Sequence, residues 1–149
     1  MADVVDTFAE TTIARPRERV ASFMFNPAND RLWTANVLES RPSAVGLLRP
    51  GMTVERRVRF LLRTFGYRIE VLDVEPGRRV RMQAPRPFEM RVTYELQDRE
   101  PAHTVARIRA QGGGSGFFRL AAPLLKLFVR RALAADLRRL KHLVESSAA

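Results

Sequence analysis

The chain has 149 residues, 46% of them apolar, with no cysteine and a formal net charge of +10. This length and composition are typical of one soluble domain with a sizeable core, and we expect residues 1–149 to form it. The lack of cysteine excludes disulfides and thiolate chemistry. No apolar run approaches the roughly 18 residues of a membrane span, and no secretory signal is visible, so we expect a cytoplasmic location.

The basic surplus has two explanations. Arginine supplies 24 of the 26 basic side chains, and such a surplus attracts nucleic acid, anionic lipid or acidic ligands. A genome biased towards arginine codons gives the same surplus, and we favour this explanation. The arginines alternate with glutamates along the predicted strands, and no aromatic side chains accompany them, as single-strand nucleic-acid binding would require. We therefore expect no nucleic-acid partner.

The first 34 residues predict a strand followed by two short helices. Residues 4–13 are rich in β-branched side chains, which favours a strand. Pro16 suits the first position of a helix whose one-sided apolar face includes Val20. Asn26 can cap a second helix, from Pro27 to about Thr34, which carries Trp33. Helices this short do not form a core, and we expect them to plug one end of a larger element.

From residue 36 onward the apolar period changes to two, which is typical of half-buried strands. Asn36–Ser43 is a weak strand, and Pro42 marks its end or the edge of a sheet. The remaining strands are predicted over residues 52–62, 67–71, 80–84, 88–97 and 104–110. Short turns between them favour antiparallel neighbours with one apolar and one wet face.

The stretch from Phe117 to about Ser146 predicts one long helix, whose approach from the last strand is a glycine-rich hinge, Gly112–Gly116. One apolar stripe consists of Ala122, Val129, Leu133, Leu137, Leu140 and Val144, and the other of Phe117, Leu120, Leu124 and Leu127. Because the first half is apolar nearly all round, we expect it to be covered on both sides. Pro123 could kink the helix so that both stripes meet the sheet. Alternatively the second stripe is exposed and forms a dimer contact or a peripheral membrane contact.

The order strand, two helices, six strands and a long helix resembles the helix-grip fold of the START/Bet v 1-like (SRPBCC) superfamily. Three stretches carry the closer resemblance to its polyketide cyclase/dehydrase-like branch: Ile13–Val20, Asn26–Trp33 and Leu137–Glu145. The resemblance implies an α+β fold, in which a curved antiparallel sheet of about seven strands wraps the terminal helix around a cavity for an apolar small molecule. It implies no single reaction, because functions in this superfamily range from aromatase/cyclase to lipid carriage and ligand sensing.

Arg56 interrupts the apolar face of its strand and is the first candidate for a ligand contact. A buried arginine is costly unless it is paired or hydrogen-bonded. It could anchor a carboxylate, phenolate or carbonyl of a ligand. It could equally form an internal ion pair, turn outward at a bulge, or extend to the mouth of the cavity.

Other inward positions give the remaining candidates. Tyr67, Tyr94 and Thr104 could donate hydrogen bonds to a ligand, and Trp33 could close one end of the cavity. The apolar lining would come from Phe60, Met82, Met90, Leu133 and Leu137. Core packing explains each of these positions as well as ligand contact does.

No catalytic, metal or cofactor signature is visible. The chain has two histidines, and both His103 and His142 fall on polar faces, which argues against zinc, iron and a Ser-His-Asp triad. The glycine run lacks the Gly-Lys-Ser/Thr ending of a phosphate-binding loop. We therefore expect a module that binds a hydrophobic small molecule, lipid or polyketide-like. A polyketide cyclase/dehydratase-like enzyme and a membrane-associated lipid- or quinone-handling protein are the alternatives.

Overall fold

Within the described residues, seven strands form one antiparallel sheet. The computed structural model describes residues 5–60, 62–85, 89–112 and 122–146, with the backbone alone for residues 60 and 122. The strands are β1 (Val5–Ile13), β2 (Val37–Pro42), β3 (Thr53–Phe60), β4 (Arg63–Glu75), β5 (Arg79–Ala84), β6 (Met90–Arg99) and β7 (His103–Gly112). Their spatial order is β1-β7-β6-β5-β4-β3-β2, so that β1 and β2 form the two edges. The expected α+β helix-grip fold is confirmed.

The first two helical segments begin within one residue of the predicted positions. Helix α1 (Arg17–Met24) follows Pro16. A 3₁₀ turn (Pro27–Asn29) leads into α2 (Asp30–Trp33), and the Asn26 side chain accepts a hydrogen bond from the Ala28 amide as predicted. The terminal helix α3 is described from Ala122 to Ser146. The predicted start at Phe117 and the hinge beyond Gly112 lie outside the described residues.

Helix α3 runs alongside β1 in the same direction. The Lys141 ammonium donates to the Thr12 carbonyl at 2.7 Å, and Glu145 Oε2 accepts from the Ala14 amide at 2.7 Å. These contacts fix the end of α3 at the end of β1, which we call the closed end of the sheet. Opposite it lies the open end, where strand pairing joins Val5 to Gly112 and where the turn between β3 and β4 lies.

The core fills the closed end. Leu137, Leu140 and Val144 of α3 are buried against the inner face of the sheet, together with Ile13 and Ala106. Towards the open end the same face of α3 is only half-buried at Leu133 and Val129. Helix α3 is therefore less completely buried towards the open end than at the closed end.

Of the two alternatives for the second apolar stripe of α3, exposure holds for its described residues. Leu124 is 59% exposed, and Leu127 is 43% exposed. The other two members of that stripe, Phe117 and Leu120, lie outside the described residues. The sheet curves round only one face of the helix, so the opposite face has no partner within the described part of the chain. No described helix is long and apolar enough to cross a membrane.

Candidate functional site

A buried ion pair lies under the inner face of the sheet. Asp30 is the first residue of α2, and Arg56 lies on β3; their exposed fractions are 1% and 8%. Arg56 donates to Asp30 Oδ2 from Nε at 3.1 Å and from Nη2 at 2.6 Å. Ser40, which pairs with Arg56 across the β2–β3 ladder, donates its hydroxyl to the same oxygen at 3.0 Å. Of the alternatives for Arg56, the structure contains the internal ion pair.

Arg56 keeps its positive charge inside the protein. Burial disfavours the charged form of Arg56, but the Asp30 carboxylate, Tyr94 and Tyr67 together outweigh burial and raise the Arg56 pKa well above its ordinary value. The phenolic groups of Tyr67 and Tyr94 also interact with the guanidinium. Arg56 is therefore charged at every pH at which the protein is folded, and it orients the hydroxyls of two tyrosines.

Tyr94 connects this pair to an aromatic cluster. Its ring lies 5.7 Å from the Trp33 ring in an edge-to-face contact and 6.4 Å from the Phe25 ring in a stacked one. Burial raises the Tyr94 pKa to about 12, although Arg56 partly offsets the effect. The phenol therefore stays protonated at physiological pH and is available as a hydrogen-bond donor.

Trp33 provides a second donor. Its ring is completely buried, and its indole Nε1 has no hydrogen-bond partner among the described residues. A buried N–H group without an acceptor costs on the order of 1–3 kcal/mol, so native proteins rarely leave one unused. An acceptor on a bound molecule would remove this cost.

Asp136 brings a carboxylate from α3 to the same region. Its Oδ1 accepts a hydrogen bond from the Ala35 amide at 3.1 Å, which ties the helix to the segment after α2. Burial raises the Asp136 pKa to about 6, against the opposing effects of the Ala35 amide and of Arg139 and Arg56. Asp136 therefore changes charge close to physiological pH, within electrostatic reach of the buried pair.

The structure brings only some of the predicted site residues together. Arg56, Tyr67, Tyr94 and Trp33 form the cluster just described. Met82 and Leu137 are buried in the core, whereas Met90 and Leu133 are half-buried nearer the open end. The Phe60 side chain lies outside the described atoms.

Thr104 is the predicted contact that the structure places elsewhere. It lies at the closed end, opposite Ile13, and its hydroxyl donates to the Arg15 carbonyl at 2.8 Å. Because the fold already uses this donor, we assign Thr104 a structural role in place of the expected ligand contact.

Asp30 and Asp136 were not among the site residues that we predicted from the sequence. Asp30 lies in a four-residue helix whose burial depends on the curvature of the sheet, so no local pattern identified it. Asp136 gave a weak signal, because it is the one acidic residue between Ala122 and Val144 and directly precedes the buried Leu137. An isolated carboxylate beside an apolar stripe is therefore the sequence signal that indicates Asp136.

A depression of about 920 Å³ lies across β2, β3 and β4. It includes Gly66, which pairs with Arg57 and exposes the strand backbone, and half of its ten lining residues are charged residues of the outer face. No described residue of α3 lines it, so it is not the cavity that was expected beneath the helix. Arg56 and Tyr67 of the buried cluster also line it, and we place the candidate site at that cluster.

Comparison with known proteins identifies one family. The family model described as "Polyketide cyclase / dehydrase and lipid transport" matches residues 2–145. No curated protein matches the chain.

Solved structures share the fold at low sequence identity. TTHA0849 from Thermus thermophilus has a TM-score of 0.81 at 15% identity, with 97% of this chain and 99% of that chain covered. The Zhui aromatase/cyclase from Streptomyces sp. R1128 has a TM-score of 0.75 at 15% identity, with 94% of this chain and 93% of that chain covered. Ara h 8.0201 has a TM-score of 0.69 at 9% identity, with 95% of this chain and 98% of that chain covered.

Proposed function

Because the chain belongs to the polyketide cyclase/dehydrase and lipid transport family, we propose that it binds a hydrophobic small molecule between the inner face of the sheet and helix α3. One observation carries the proposal. Three apolar side chains that pack against the core are only half-buried: Val92 of β6, Leu133 of α3 and Tyr67 of β4. Apolar side chains that the fold leaves incompletely buried are stabilised when an apolar ligand covers them.

The polar cluster would orient this ligand. The Tyr94 hydroxyl and the Trp33 indole N–H are buried donors, and the Arg56–Asp30 ion pair lies beside Tyr94. A lipid or polyketide-like molecule that carries a carbonyl or hydroxyl at one end would place that oxygen against these donors, with its apolar part towards the open end.

Trp33 is the only tryptophan in the chain, so its emission reports directly on the site. Native mass spectrometry of the purified protein is expected to reveal a co-purified apolar molecule. After its removal, titration with palmitic acid should shift or quench the Trp33 emission. Val92→Phe and Leu133→Phe add bulk at the half-buried positions where we place the ligand, and each should weaken binding about tenfold or more.

Leu72→Phe is the matched control, because it adds the same bulk at an exposed position of β4. It should bind as the unmodified protein does. Absence of a retained molecule, together with an unchanged Trp33 emission, would overturn the proposal. Equal weakening in all three variants would show that binding does not occur in this space.

Asp136 supports a second candidate function, a cyclase/dehydratase-like enzyme. A pKa of about 6 is close to the optimum for a general acid or base at neutral pH. Arg56 and Tyr94 could polarise a carbonyl while Asp136 moves a proton. In that case Asp136→Asn should abolish turnover of a β-keto thioester substrate and leave the Trp33 binding signal intact. Unchanged turnover would exclude this role for Asp136.

A further inference from the structure

The first turns of α3 expose an apolar face that the sheet does not cover. Leu127 and Phe128 come three and four residues after Leu124, so the three share one helix face, and at least 43% of each is exposed. Scattered exposed apolar side chains are ordinary, but three that share one helix face form a patch. The fold leaves this face open because the sheet packs only against the opposite side of the helix.

Cations lie beside this patch. At about 100° per residue, Arg131 falls on the patch face and Arg130 at its border, whereas Lys126 falls on the side of β1. All three are exposed, and no acidic residue occurs from Ala122 to Ala135. An exposed apolar helix face with neighbouring cations matches an anionic lipid surface, in which acyl chains accept the leucines and headgroups pair with the cations. A second copy of the chain would bring like charges together at this patch.

The patch lies at the open end of the sheet. About 17 residues separate Leu124 from Lys141, or about 25 Å of helix, which matches the length of β1 from Thr12 back to Val5. Lys126 also acts electrostatically on Asp6 near the start of β1. Leu62, in the turn between β3 and β4 at the same end, is 92% exposed. Two separate elements thus present apolar side chains at the open end.

We propose that the open end docks on the surface of an anionic bilayer, through Leu124, Leu127 and Phe128 of α3 and the cations beside them. The helix lies along the interface, with its apolar face among the upper acyl chains. In this orientation the space between the sheet and α3 opens towards the lipid. The docking surface does not depend on what the protein binds inside, so it can be tested separately.

The test is co-sedimentation of the full chain with vesicles of phosphatidylglycerol and phosphatidylcholine. Binding should rise with the phosphatidylglycerol fraction and weaken as salt increases from 0.1 M to 1 M, since screening shortens from about 10 Å to about 3 Å. Leu124→Ser/Phe128→Ser should lower the partition coefficient about tenfold or more. Both positions are exposed, so circular dichroism should show an unchanged fold.

A charge comparison separates local docking from general attraction. Arg130→Glu/Arg131→Glu removes four units of net charge at the patch, and Arg31→Glu/Arg99→Glu removes the same amount at exposed sites towards the closed end. The first pair should reduce binding about tenfold or more, and the second much less. Equal losses would overturn the proposal in favour of non-specific attraction.

Two further outcomes would also overturn it. The unmodified protein could fail to bind phosphatidylglycerol vesicles at 0.1 M salt. It could instead form a dimer in solution that Leu124→Ser/Phe128→Ser dissociates, in which case a second copy covers the patch. Val45→Ser is the control for loss of an exposed apolar side chain, because Val45 is 94% exposed in the loop before β3.

Discussion

The buried Asp30–Arg56 pair shows how one residue can dictate its surroundings. Arg56 interrupts an apolar strand face, and the fold compensates it with a carboxylate from α2 and a hydroxyl from β2. Such a pair adds little net stability compared with apolar residues of the same volume, because both charges lose their hydration. Its effect is to fix α2 against the sheet and to orient Tyr94 and Tyr67.

Removing one partner of the pair should therefore lower the free energy of unfolding more than removing both partners does. We expect Arg56→Ala to lower the free energy of unfolding by about 3–5 kcal/mol, because it leaves the Asp30 carboxylate buried without a counter-charge. The double variant Asp30→Asn/Arg56→Met should recover a large part of that loss. Urea denaturation measures both changes.

Arg57→Met is the matched control for this comparison. Arg57 is the next residue along β3, faces outward and forms an exposed pair with Glu39 at 3.7 Å. Its replacement should change the unfolding free energy by less than about 0.5 kcal/mol. A double variant as unstable as Arg56→Ala would contradict the explanation by an uncompensated charge.

At the scale of elements, helix α3 has two functional halves. Its second half is held by Leu137, Leu140 and Val144 in the core and by Lys141 and Glu145 at the closed end. Its first half extends past the packed region and exposes apolar side chains. The first half carries a second apolar stripe, and the sheet packs only against the opposite face of the helix.

The two halves should respond differently to the same substitution. Leu140→Ala should lower the free energy of unfolding by about 2–5 kcal/mol, because Leu140 is completely buried and a cavity would remain. Leu124→Ala should change it by less than about 0.5 kcal/mol, since Leu124 is largely exposed. Both changes have the same effect on helix propensity. Similar losses in chemical denaturation would mean that the first half is packed in solution.

At the scale of the whole molecule, a few carboxylates set the dependence of stability on pH. The hydrogen bond from Lys141 lowers the Glu145 pKa below its ordinary value of 4.5, so this contribution is present above that pH and is lost in acid. Burial raises the Asp136 pKa from 3.8 to about 6, so the folded state prefers the protonated form. That contribution is present below about pH 4 and is lost as the pH rises to 6.

Stability should consequently fall between pH 4 and pH 6, and Asp136→Asn should remove most of this fall. The amide keeps an acceptor for the Ala35 N–H but cannot ionise. We expect the variant to be more stable than the parent by about 1–2 kcal/mol at pH 7, after allowance for partial screening by water, and nearly equal at pH 4. Thermal unfolding across this range measures the difference. If the stability of the variant changes with pH in the same way as that of the parent, Asp136 is excluded as the titrating group.

The sequence alone determined the fold. Period-two alternation, turn residues and one long apolar helix predicted the strands, their antiparallel pairing and the terminal helix, because these patterns depend on local geometry. Asn26 as a cap and β2 as an edge strand were predicted for the same reason.

Only the tertiary structure showed which residues come together at the candidate site. The sequence marked Arg56 as anomalous but could not supply its partner, since Asp30 is 26 positions away and reaches it only through the curvature of the sheet. The same holds for Asp136, whose raised pKa is a property of the enclosing surfaces, and for the exposed face of α3. Periodicity shows which side chains share a face, but contact between distant elements decides which face is buried.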